Sequence, residues 1–154
     1  MTASKLTTCL WFDGTHDPEE AANFYTSIFP NSHVKTVHRM TISFTLNGHS
    51  FVILNGGPHP DAQHNDAISF IIECEDQAEV DHYYDKLGEG GAAKKKNCGW
   101  VADRYGVAWQ VVPKVLYQYM KDEDAEKVGR VTKAMMGMKK LDVEGFKKAY
   151  DGRE

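Results

Sequence analysis

The spacing of apolar residues along this chain changes several times, and each change marks an element. Cys9-Leu10-Trp11-Phe12 is an apolar run too short for a core helix and rich in strand formers. From Asp17 to Phe29 the spacing becomes helical. Asp17 can cap this helix, Pro18 suits its first position, and Glu20 stands three residues after the cap. Ala21, Phe24 and Ile28 form the apolar stripe, which Pro30 ends. Strand patterns follow over His33 to His38, Met40 to Leu46 and Phe51 to Leu54, with a hairpin turn at Asn47-Gly48.

The second half repeats this order. Ile68 to Ile72 reads as a strand. A helix then opens at Asp76, carries Val80, Tyr83 and Leu87 as its stripe, and stops at Gly88. Its landmarks sit at a constant distance from those of the first helix: 59 residues part Asp17 from Asp76, Glu20 from Glu79 and Phe24 from Tyr83. Further strands are expected over Ala92 to Lys95, Gly99 to Ala102 and Val107 to Val112, with a matching turn at Arg104-Tyr105-Gly106.

Each half is therefore strand, helix, strand, strand, strand, an α+β pattern repeated over about residues 5–57 and 66–113. A segment rich in turn residues, Gly56-Gly57-Pro58-His59-Pro60-Asp61, joins the halves. A single helix covers only one face of a sheet, so the two open faces are expected to meet and enclose a cavity within one domain, residues 1–113. Residues 114–154 read as a helical extension. Ala125, Val128, Thr132, Met135 and Met138 recur at helical spacing, and Asp142 can cap a last helix bearing Val143, Phe146 and Tyr150. The Met135, Met136 and Met138 stripe suits either a core or a second subunit.

Composition narrows the function classes. Over 154 residues, 42% are hydrophobic and 26% charged, which is the balance of a packed chain rather than a disordered one. Lys+Arg total 18 against Asp+Glu 22, and a net charge of -4 argues against a nucleic-acid or anionic-membrane binder. No apolar run approaches the roughly 20 residues of a membrane span, and the start has no stretch suited to a secretory signal. Cys9, Cys74 and Cys98 have no paired spacing and fit reduced thiols, so a cytoplasmic protein is expected.

The duplicated strand-helix-strand-strand-strand unit resembles the vicinal oxygen chelate superfamily, the fold of glyoxalase I, extradiol dioxygenases and bleomycin-resistance proteins. Leu10-Trp11-Phe12-Asp13-Gly14, Glu19-Glu20-Ala21-Ala22-Asn23-Phe24-Tyr25, Leu54-Asn55-Gly56-Gly57-Pro58, Cys98-Gly99-Trp100 and Asp103 to Pro113 resemble its PhnB-like branch, also labelled demethylubiquinone methyltransferase-like. The likeness covers about residues 5–113 and extends to Met136 to Asp142. It implies tandem glyoxalase-like modules and a homodimer. In metal-using members four ligands line the cavity, from the first and last strand of each half. Carried onto this chain, those positions are Thr8, Val52, Ala67 and Gln110, and nearby positions add only Ser69 or Cys9. That set has no carboxylate or imidazole, so no metal and no cofactor is expected. The seven histidines fall mostly in loops, turns and strand ends.

Strand alternation supplies the candidate site. With Phe70 and Ile72 under the second helix, Ser69 and Ile71 face the cavity; by the 59-residue repeat, so do Leu10 and Phe12. Gln110 and Val112 share that face with Val52 and Leu54. The candidate ligand-binding residues are Phe12, Val52, Leu54, Asn55, Ser69, Trp100 and Gln110, an apolar lining with a few polar points. Gln110 leads because a buried amide must find hydrogen-bond partners. Asn55 is equally explained as a turn residue.

Other features carry duller readings. Gly88-Glu89-Gly90-Gly91 closes a helix, whereas a phosphate-binding glycine loop opens one. With no other glycine fingerprint, a methyltransferase activity has no support in the sequence. Lys94-Lys95-Lys96 reads as a solvated turn or a protected sheet edge, and Cys98 as a buried, inert thiol. The residues point to a protein that binds a small, partly apolar molecule in a metal-free cavity. The alternatives are an isomerase, lyase or dioxygenase with an altered metal site, and a dimeric interaction module.

Overall fold

The computed structural model describes residues 4–153. It is an α+β chain of two βαβββ modules followed by three helices, as the repeat predicts. The first module contains β1 (Thr8–Phe12), α1 (Pro18–Ile28), β2 (His33–Val37), β3 (Thr41–Leu46) and β4 (His49–Asn55). The second contains β5 (Ser69–Cys74), α2 (Gln77–Leu87), β6 (Lys94–Lys95), β7 (Trp100–Ala102) and β8 (Ala108–Pro113). The extension contains α3 (Lys114–Met120), α4 (Ala125–Met136) and α5 (Val143–Asp151). By internal packing the chain divides into one compact unit up to Gln63 and a second from His64 onward, which includes the extension. No helix of the described residues is long and apolar enough to cross a membrane.

Each sheet has four strands, in the orders β1-β4-β3-β2 and β5-β8-β7-β6. The first and last strands of each module pair in parallel and the others antiparallel. Local chemistry accounts for the elements. The Asp17 carboxylate accepts from the Glu19 and Glu20 backbone N–H groups at 2.8 and 3.2 Å, and Asp76 accepts from Glu79 at 3.0 Å. Both acids thereby satisfy amides that the first helical turn leaves without partners. Asn47 and Gly48 both take positive φ, which a two-residue hairpin turn of the type I′ class demands.

In the first module α1 lies on Phe44, whose ring stacks on Tyr25 at 6.0 Å and on Phe51 at 5.4 Å. Tyr25, fully buried, takes the central place that the helical stripe assigned to Phe24, which is only half-buried. In the second module Val80, Tyr84 and Leu87 are the deeply buried face of α2. The second hairpin turns on Asp103, which is completely buried. Its carboxylate accepts from the N–H groups of Tyr105 and Val107 at 2.8 and 3.1 Å and from the Trp109 indole at 2.8 Å. Gly106, at φ +86, closes the turn with a bond to the Asp103 carbonyl.

The extension packs on the second module. Val112 of β8, Leu116, Val131, Leu141 and Phe146 form one cluster, with Met135 and Met138 packed against it. Val131 is the buried centre of α4, between the Val128 and Met135 positions of the expected stripe; Met136 is exposed. The Met138 and Lys139 carbonyls accept from the N–H groups of Cys98 and Gly99, each at 2.8 Å. Gln77 at the start of α2 donates to the Leu141 carbonyl and accepts from the Val143 N–H. Lys140 bridges Asp81 and Asp85 of α2. The lysine run is indeed a sheet edge: β6 is the outer strand, Lys95 pairs with Asp85 and Lys96 with Asp66.

Two measurements test this account. In urea unfolding, Phe146→Ala lowers stability by about 3–5 kcal/mol because it empties the centre of the extension core, whereas the exposed Met136→Ala shifts it by less than about 0.5 kcal/mol. Asp103→Ala strands buried donors and costs about 3 kcal/mol or more. The second measurement uses the thiols. Burial, reinforced by the charges of Glu79 and Asp76, pushes the Cys74 thiol up to about 12. Its reactive thiolate is therefore scarce at all ordinary pH values. Iodoacetamide at mildly alkaline pH should modify the exposed Cys9 and leave Cys74 untouched until denaturant is added.

Candidate functional site

The register of each parallel pair decides which side chains share a face. In the second module Phe70 pairs with Trp109 and Ile72 with Val111. These lie on the α2 side, so Ser69, Ile71, Gln110 and Val112 occupy the opposite, open face, as alternation predicts. Trp100 pairs with Gln110 across β7 and β8 and joins them.

The first module departs from the expectation. Leu10 pairs with Ile53 and Phe12 with Asn55, in line with Phe51, whose ring stacks under α1 through Phe44. Leu10 and Phe12 therefore point toward α1 and are buried there; the open face of β1 presents Cys9 and Trp11. The reason is a loop-length difference. The residues Asp13 to His16 part β1 from the cap Asp17, whereas Glu75 alone parts β5 from Asp76. Ile53 and Val111 each stand five residues after their turn glycine, so Leu10 is the counterpart of Ile72, 62 residues on, not 59. An odd difference of three exchanges the two faces of the strand.

The sequence-selected residues thus fall into three places. Ser69, Trp100 and Gln110 come together on the open face of the second sheet. Val52 and Leu54 lie on the open face of the first, beside Trp11. Phe12 and Asn55 lie on the α1 side of the first sheet and belong to neither open face. Trp11 was not selected, and its signal was the Gly56-Gly57 pair. Its indole N–H donates to the Gly57 carbonyl at 2.8 Å, and its ring occupies the space where any Cβ on Gly56 would fall, 2.2 Å away.

On the second sheet the Gln110 side-chain amide donates to the Ser69 hydroxyl at 2.9 Å. Among the described residues, no other side-chain hydrogen bond is made by Gln110, and none by the Trp100 indole N–H. An amide carbonyl, one amide N–H and an indole N–H therefore remain available on this lane. Ile71, 54% exposed, supplies apolar surface next to Gln110. Beyond it, Val112 is taken into the extension core. Glu73, on the same face, adds its charge to the burial that raises the Tyr117 phenol.

The donor set does not fit a divalent ion of the kind the superfamily uses. Thr8 lies on the α1 side, with its hydroxyl 3.2 Å from the His49 ring, and Ala67 precedes β5 altogether. Val52 has no donor, and Gln110 is a neutral amide held by a neutral hydroxyl. Among the described residues, no three His, Cys, Asp or Glu side chains converge on a metal site.

Comparison with known proteins agrees with this architecture. The model of a family described as 3-demethylubiquinone-9 3-methyltransferase matches residues 4–112. A solved Bacillus cereus structure, described as a putative 3-demethylubiquinone-9 3-methyltransferase, PhnB protein, is 32% identical. The alignment covers 71% of this chain and 99% of that one, with a TM-score of 0.63. Two more distant structures show the fold alone. FosX, a fosfomycin resistance protein from Listeria monocytogenes described in complex with Mn(II) and sulfate, is 15% identical at TM-score 0.55, covering 79% and 98%. Protein PA1353 from Pseudomonas aeruginosa is 17% identical at TM-score 0.53, covering 71% and 97%. No curated protein matches this chain. The methyltransferase of the family description has no support here, since both helices that follow a first strand open on an aspartate cap, not on a glycine loop. Two repeated modules, matched nearly end to end by a PhnB protein, establish that this chain belongs to the PhnB-like, 3-demethylubiquinone-9 3-methyltransferase family.

Proposed function

We propose that this protein binds a small, partly apolar molecule on the open face of its second sheet without a metal ion. The observation that carries the reading is the Gln110–Ser69 pair, an oriented amide with unused hydrogen-bonding capacity beside an aromatic ring. Such a lane suits a ligand with a flat apolar body and one or two neutral polar groups. Trp100 and Ile71 supply contact area, while Gln110 and Ser69 fix orientation. The amide, hydroxyl and indole of this lane are neutral groups suited to binding and orienting a ligand.

Exposed apolar side chains on the extension, Tyr117, Met120 and Met136, favour a homodimer as the assembly that presents the site.

Native mass spectrometry of freshly purified protein tests the binding reading. The expected result is a bound organic species of a few hundred daltons with less than stoichiometric divalent metal. Gln110→Ala should reduce its occupancy by about tenfold, the equivalent of one good hydrogen bond to a buried ligand, while leaving thermal stability nearly unchanged. One divalent ion per chain that survives dialysis would replace this reading with a metal enzyme.

A further inference from the structure

The longer β1–α1 loop does more than exchange the faces of β1: its Gly14, Thr15 and His16, with the first residues of α1, line an open cleft of about 490 Å³ at the end of the first module. The β2–β3 connection, with His38 and Arg39, lines it as well, and Asn55 at the end of β4 and Ile42 contribute to the lining. This volume is ample for a small metabolite. The second module has only Glu75 in place of the loop, so the duplication shows the cleft to be an addition to the shared fold.

The charges of the cleft are unevenly committed. Asp17 is occupied by the Glu19 and Glu20 amides, and the neighbouring Asp13 by the Thr15 N–H and hydroxyl. The guanidinium groups of Arg104 and Arg130 donate to backbone carbonyls, and Arg153 pairs with Asp151. Among the described residues, Arg39 alone of the arginines makes no side-chain hydrogen bond or ion pair. It stands next to His38 in the β2–β3 connection, and His16 of the β1–α1 loop and Asn55 at the end of β4 line the same cleft. Glu19 is the one lining carboxylate not spent on a cap.

We propose that this cleft is a second ligand site, separate from the open-face lane, and that it takes a small molecule through a carboxylate or phosphate group. Arg39 is the principal contact, since its planar fork matches the oxygens of either group in two parallel bonds. His16 and His38 add donors, and Asn55 adds a neutral donor that reads an adjacent oxygen. Val37 and Ile42 receive the apolar remainder of the ligand. The uncommitted Glu19 opposes an anion on its own side and so directs the charged group toward Arg39.

The test is an amide-resolved NMR titration of the intact protein, with inorganic phosphate in one arm and acetate in the other. Saturable shifts in residues 14–19 and 38–40 with either probe are expected, and the arm that saturates first assigns the oxyanion. Arg39→Ala should weaken binding by about tenfold or more, as loss of a charge-assisted bidentate contact requires. Glu19→Gln should tighten it, and Lys94→Ala, on β6 and not part of the cleft lining, should leave it unchanged. Both arginine and glutamate are exposed, so the variants keep the fold, which the unchanged spectrum of the second module would show. The proposal is overturned if neither probe shifts the cleft residues, if Arg39→Ala binds as the parent does, or if shifts centre on Lys94 to Lys96.

Discussion

In each module the first strand lies parallel to the last, and this short ladder settles most of what the chain can do. It joins the residues before the helix to those after the hairpin, so it closes the sheet around the helix that connects them. Because side chains alternate along a strand, the ladder also settles which of them the helix covers and which are left outside. In the second module the outside set contains an amide, a hydroxyl and an indole in one lane. In the first it contains Trp11, Val52 and Leu54. A shift of one residue in either ladder would exchange these sets for Phe and Ile side chains and leave no lane at all.

Much of this was legible in the sequence because it rests on local chemistry. The aspartate caps, the Asn47-Gly48 turn and the repeated helices are each specified by a few adjacent residues, and they appear where their signals lie. The face of the second sheet was legible too, since Phe70 and Ile72 are placed by alternation within one strand. The face of β1 was not. Aligning the helices carried a 59-residue offset onto strands whose true offset is 62, and nothing local to Leu10 or Phe12 reveals how long the next loop is. The choice of Phe24 over Tyr25 for the buried stripe failed for a related reason. Neighbouring aromatics differ by a rotation that only the partner, here Phe44, decides.

The hydrogen bonds around Asp103 show how the second module keeps its lane in place. A buried carboxylate is costly unless it is fully met by donors. Here those donors are the turn amides and the indole of Trp109, one residue before Gln110. The requirement to satisfy Asp103 therefore holds β7 and β8 in one register and sets the orientation of Trp109. By alternation it sends Gln110 to the other face, toward Ser69. The family motif from Asp103 to Pro113 can thus be read as a single device. Its buried half fixes geometry so that its open half can present chemistry.

The extension adds a limit to that presentation. It lies beyond the residues the family model matches, yet it is joined to the second module by backbone bonds to Cys98 and Gly99 and by a core that includes Val112. Val112 follows Gln110 on the open face, so drawing it into a helical core ends the lane on that side and leaves Ser69, Ile71, Gln110 and Trp100 as its usable part. Gly99 makes the arrangement possible. Its positive φ and the close approach of Leu141 leave no room for a side chain there. The extension is accordingly part of the site's boundary as well as of the module's core. A family fold that ends at β8 would present a longer and more apolar face than this one does.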